Sequence, residues 1–110
     1  MNRQTKFVTI LGEVWKIEFK DIGNVDEDGH TEWSTRTIVI RNDNTAGIPT
    51  FEQSQKSWLR HEIIHAFHFE SGLAFNYEHK SIGIDETEVD WFAIQYPKMK
   101  KVFAELECED

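Results

Sequence analysis

Leu59-Arg60-His61-Glu62-Ile63-Ile64-His65-Ala66-Phe67 is the stretch on which the reading of this chain turns. Leu59, Ile63, Ala66 and Phe67 recur at helical spacing and form an apolar stripe. On another side of the same turns, His61 and His65 stand four residues apart. Residues at that spacing project from one helix face, so two imidazoles can reach a single ion. Glu62 follows the first histidine directly. It is placed to take a proton from a metal-activated water rather than to ligate the metal. The pattern is His-Glu-x-x-His.

Working outward, residues 51–71 contain neither Pro nor Gly, and Gly72 supplies a stop. Thr50 and Gln53 have the form of a capping box at the start of this helix. Upstream the period changes. Residues 7–19 alternate and are rich in β-branched and aromatic side chains, which predicts two strands around Gly12-Glu13. Residues 22–31, Ile-Gly-Asn-Val-Asp-Glu-Asp-Gly-His-Thr, have turn-forming density and read as a loop. A third strand is expected over 35–41, ended by Asn42-Asp43-Asn44.

Downstream, 73–84 reads as a linker. Asp85 and Glu88 resemble a second capping box, opening a helix towards Tyr96. Pro97 should break or kink it, and 98–106 should form a final helical segment. The expected architecture is one α+β domain over residues 1–110. It has a small antiparallel three-stranded sheet, then the motif helix, then a second C-terminal helix.

A catalytic zinc takes three protein ligands and leaves a position for water. The candidates for the third are Glu86, Glu88, Asp90, His68 and His79. Glu86 and Asp90 form an i, i+4 pair, in which one carboxylate can bind the metal while the other accepts the free N–H of a ligating histidine. Of these, Glu86 leads. Glu88 is explained by its capping role and points elsewhere if those two share a face. His68 lies one turn beyond His65 and reads as a partly exposed helix residue. His68, His79, Tyr77 and Arg36 are all possible donors to a developing oxyanion, and the spacing selects none.

HEIIH on one helix and DETEVD on the next together resemble the zincins, and more narrowly the gluzincin pattern. The segment Glu86 to Ala93 is also similar to the signature of the ImmA/IrrE-type metallopeptidases. The context around Leu59–Ala66 and Glu70–Leu73 is similar to small prophage-type zincin proteins. The resemblance spans roughly residues 35 to 97. It implies a zinc-dependent peptidase with Zn2+ held by His61, His65 and Glu86, Asp90 supporting a ligand, and Glu62 as general base. It further implies that the strand at 37–42 pairs with an extended peptide substrate. Departures from the pattern are Ile64 before the second histidine and the Ile94-Gln95-Tyr96-Pro97 ending. A different outcome is a catalytically weak zincin-like protein that keeps its metal and acts through protein contacts. The aromatics Trp15, Trp33 and Trp91 motivate it, although core packing explains them more simply.

The net charge is −8, which disfavours a phosphate-tracking surface, so no nucleic-acid partner is expected. The lone Cys108 cannot staple the fold and fits a reducing compartment. Residues 7–11 are too short for a secretory apolar region, and no stretch approaches bilayer length. The expectation is a cytoplasmic protein with no membrane partner, acting on a peptide or protein.

Overall fold

The computed structural model describes residues 4–76 and 86–110, and for Phe75, Asn76, Glu86, Thr87, Val89, Asp90 and Ala93 it describes the backbone alone. The elements run β1 (Lys6–Ile10), β2 (Glu13–Lys20), β3 (Gly29–Glu32), β4 (Thr37–Arg41), α1 (Phe51–Glu70), the single turn α2 (Leu73–Asn76) and α3 (Glu86–Glu105). The class is α+β, as expected, but the sheet has four strands in the order β1-β2-β4-β3.

β1 and β2 form an antiparallel hairpin in which Ile10 faces Glu13. Its two-residue turn is Leu11-Gly12, with φ of +49° and +88°. Positive φ at both positions gives the turn a twist that matches the strands. The turn therefore sits one residue earlier than Gly12-Glu13.

The expected all-antiparallel sheet is corrected by β4, which pairs with β2 in parallel register, Ile17 opposite Ile38. The reversal comes from the segment read as a loop. Its last residues form β3, which pairs antiparallel with β4, His30 opposite Val39, and becomes the sheet edge. Gly-His-Thr-Glu offers no apolar alternation, so the strand is held by β4 and by α1 rather than by its own side chains. The correction also moves the free edge. β4, expected as the strand open to a peptide, is enclosed by β2 and β3.

One sheet face carries Val8, Ile10, Trp15, Ile17, Ile38 and Ile40, all buried. Against it pack Leu59, Ile63, Ala66 and Phe67 of α1, the stripe anticipated from spacing, with Met99, Val102, Leu106 and Cys108 from the C-terminal region. Trp15 is a core residue. Trp33 stays partly exposed and stacks on Phe69 with ring centroids 6.1 Å apart. The free thiol of Cys108 is enclosed, and burial pushes its pKa up to about 11.

The ends of α1 split the expectations. Gly72 adopts φ +83° just past the helix, and the Ser71 and Gly72 amides donate to Phe67 O and Phe69 O at 2.9 and 3.2 Å. Thr50, by contrast, makes no side-chain capping bond, so the capping box does not form. Nor does Pro97 divide the last helix, because α3 runs through it as one element. Pro97 is exposed, on a side where water can take up the carbonyl that its missing N–H leaves unbonded. Asp85 of the second proposed capping box lies outside the described residues. Among the described residues, no helix is long and apolar enough to cross a membrane.

Candidate metal centre

The motif lies in the middle of α1, where the helix rests on the sheet near its β3 edge. Ile63 and Ala66 are fully buried, and this fixes the helix rotation. His61 and His65 are turned outward and Glu62 is tucked in at 8% exposure. The two Nε2 atoms lie 3.2 Å apart, with the rings edge to face. Two nitrogens bound to one tetrahedral zinc at its usual bond length are separated by ~3.3 Å. The separation matches that spacing and is also that of a hydrogen bond between the two rings. One ligand atom from each of His61, Glu62 and His65 can be chosen so that all lie within 4.8 Å of one another. A helix that can hold a metal is what the geometry gives.

Glu62 is fixed from β3. The Thr31 hydroxyl lies 2.8 Å from Glu62 Oε1 and 3.1 Å from the Glu62 carbonyl oxygen. Two residues earlier on the same strand, Gly29 lies beside the Glu62 stem: a Cβ there would be in ordinary contact with Glu62 Cγ at 3.5 Å but only 2.7 Å from Val39 O of β4. Neither contact could be read from the sequence, since β3 was not recognised as a strand.

Beside the motif opens a cleft of about 410 Å³ lined in part by Asp26, Glu27, Asp28, Trp58, His61 and Glu62. The acidic loop that forms one wall is shaped by Arg41. This buried guanidinium donates to the carbonyls of Gly23 (2.7 Å), Val25 and Glu27 (2.9 Å), and to Asp43 Oδ2 (2.7 Å). Three alternating carbonyls converge on one planar cation, which suits the fork of Arg and not the point charge of Lys. Asp43 also accepts the Thr45 hydroxyl and the Ile22 amide, contacts that hold its carboxyl well below the usual range.

Towards the end of α1 the histidine face continues. His65 and His68 have ring centroids 6.1 Å apart, and His68 meets Trp91 of α3 at 4.7 Å. Glu88 Oε1 lies 3.7 Å from His68 Nε2, and the Trp91 indole donates to Ser71 Oγ at 2.9 Å. Burial pushes the His68 pKa down, Glu88 opposes that shift, and His65 adds to it. Glu88 thus faces His68, while Asp85, its partner in the expected capping box, lies outside the described residues. On α3 Glu88 belongs to the stripe 88, 91, 95, 99, 102 that runs into the core.

Of the other candidates, the side chains of Glu86 and Asp90, and all of Tyr77 and His79, lie outside the described residues. Arg36, one possible oxyanion donor, is engaged instead with Glu70 at 3.1 Å and Glu13 at 3.9 Å, beyond the last histidine.

No family model matches the chain, and no curated protein and no solved structure matches it significantly. What stands is therefore the His-Glu-x-x-His motif on a helix in metal-binding geometry. Membership of the zincins is not shown.

Proposed function

We propose that the chain is a metal-dependent hydrolase, most simply a small zinc peptidase. His61, His65 and Glu86 are its metal ligands, Asp90 supports a ligand, and Glu62 is its general base. The observation that carries this reading is the 3.2 Å separation of the two Nε2 atoms beside a buried carboxylate. A zinc ion in that position supplies Lewis acidity and brings the pKa of a water to about 7. The protein's part is to hold the ion with two neutral imidazoles, leave the outward side open, and present Glu62 to accept the proton of the attacking water. An extended peptide is the natural substrate shape, because β3 is last in the strand order among the described residues and lies next to Glu62, where a strand could be added.

The test is bound metal and peptide hydrolysis measured together on four proteins. Wild type should carry about one zinc per chain and cleave a mixed fluorogenic peptide set. Glu62→Gln should keep the zinc and lose hydrolysis, and His65→Ala should lose both. Glu86→Ala should bind zinc more weakly. Full zinc in Glu62→Gln with undiminished hydrolysis would remove Glu62 from its role. Unchanged affinity in Glu86→Ala, with loss in Glu88→Ala, would move the third ligand to the residue that faces His68.

A second reading has one observation in its favour. Phe92, Ile94 and Tyr96 stand 45, 64 and 47% exposed on α3. A metal-holding protein that works through protein contacts would use such a surface, and its partner binding would survive Glu62→Gln.

A further inference from the structure

Resting on the reading of Glu62 as general base, we propose that Thr31 is its positioning residue, so that the strand next to the site also aims the base. A hydroxyl has one proton to donate, and the two acceptors within reach are Glu62 Oε1 at 2.8 Å and the Glu62 carbonyl at 3.1 Å. The carboxylate is the shorter contact and the charged acceptor, so it takes the proton. One carboxylate oxygen is thereby engaged and the other is left for a water.

Without this bond the carboxylate head of Glu62 would have to be ordered when water and substrate arrive. Here the cost is met on folding, before any substrate arrives. Gly29 completes the device. Gly29 and Thr31 lie two apart on β3 and so share a face of the strand. The glutamate stem passes beside Gly29, a position that the Val39 carbonyl keeps clear of a side chain, and its head is caught at Thr31.

β3 is also the sheet edge, so the strand that would register an extended peptide is the one that registers the base. Displacing β3 outward would loosen Glu62 and shift the peptide register together.

The experiment needs no natural substrate. The chain is loaded with cobalt in place of zinc, and acetohydroxamate and azide are titrated by their effect on the visible bands. Acetohydroxamate has a hydroxyl that requires a proton acceptor beside the metal, whereas azide does not. In Thr31→Val, which keeps shape and strand propensity, acetohydroxamate should bind about five- to tenfold more weakly, with azide unchanged. Thr31→Ser should restore wild-type binding. In a Glu62→Gln background, Thr31→Val should have no further effect, because the two groups act as one unit.

Three results would overturn the proposal while leaving Glu62 as base: unchanged acetohydroxamate affinity in Thr31→Val when Glu62→Gln weakens it, failure of Thr31→Ser to restore it, or an undiminished Thr31→Val effect in the Glu62→Gln background. Equal weakening of azide would make the effect one of metal loading and would also overturn it. Failure of the chain to take up cobalt, or acetohydroxamate binding indifferent to Glu62→Gln, would remove the underlying reading and this one with it.

Discussion

Replacing Gly29 by Ala tests the close packing of β3 on β4, beside the motif helix. Gly29 is not in the left-handed region, so alanine meets no dihedral penalty there and the whole effect is steric. A Cβ on the existing backbone would fall 2.7 Å from Val39 O, 3.1 Å from Ile40 Cδ1 and 3.5 Å from Glu62 Cγ. The first contact decides the outcome. Val39 belongs to β4, which is paired on both sides and cannot retreat. An ordinary carbon–oxygen contact needs about 0.6 Å more, and the edge strand must supply it. Overpacking of this kind costs about 2–3 kcal/mol, offset in part by the lower entropy of the unfolded alanine chain, for a net loss near ~1.5 kcal/mol. For a chain of this size that lowers Tm by about 6–12 °C. Urea unfolding with a two-state fit gives the free energy, and a thermal scan gives Tm. Stability within about 0.5 kcal/mol of wild type would refute the close approach of β3 to β4.

Other expectations follow from the same contacts. Arg41→Gln removes the fork that gathers the carbonyls of Gly23, Val25 and Glu27, and should cost about 2 kcal/mol while speeding amide exchange across residues 22–28. Glu18 accepts from Lys16 and Lys20, each at 2.8 Å, which lowers its pKa from 4.5 to about 2. A lowered folded-state pKa gives stability that is complete above 4.5 and is lost as pH falls towards 2, so Glu18→Gln should flatten the acid side of the Tm profile in that window alone. Thr50→Ala should change stability by less than about 0.5 kcal/mol, since Thr50 makes no capping bond.

The parts of the fold that were legible in the sequence are those whose side chains carry a period. β1 and β2 alternate, β4 is a short β-branched run buried on both faces, and Leu59, Ile63, Ala66 and Phe67 mark the buried face of α1 as clearly in sequence as in space. β3 was illegible because Gly-His-Thr-Glu buries nothing of its own. Missing it cost the topology, since it is β3 that reverses the chain here and lets β4 return parallel to β2. Local rules also failed where tertiary contacts decide: Thr50 had a capping sequence and no capping bond, and Pro97 had a breaker's chemistry on an exposed side of a continuous helix. At the site, the His61, Glu62 and His65 grouping was legible because i, i+4 spacing is local. The contact of Thr31 with Glu62 spans 31 residues and has no local signature. The contact of Glu88 with His68 likewise joins two helices and has no local signature.

The central claim is that His61 and His65 hold one metal ion together. Elemental analysis of tag-free protein, supplied with zinc and then desalted, tests it most directly, with wild type set against His61→Ala/His65→Ala. The geometry predicts close to one zinc per chain in wild type and none in the double variant, with both folded. No zinc in wild type, or equal zinc in the two proteins, would contradict it.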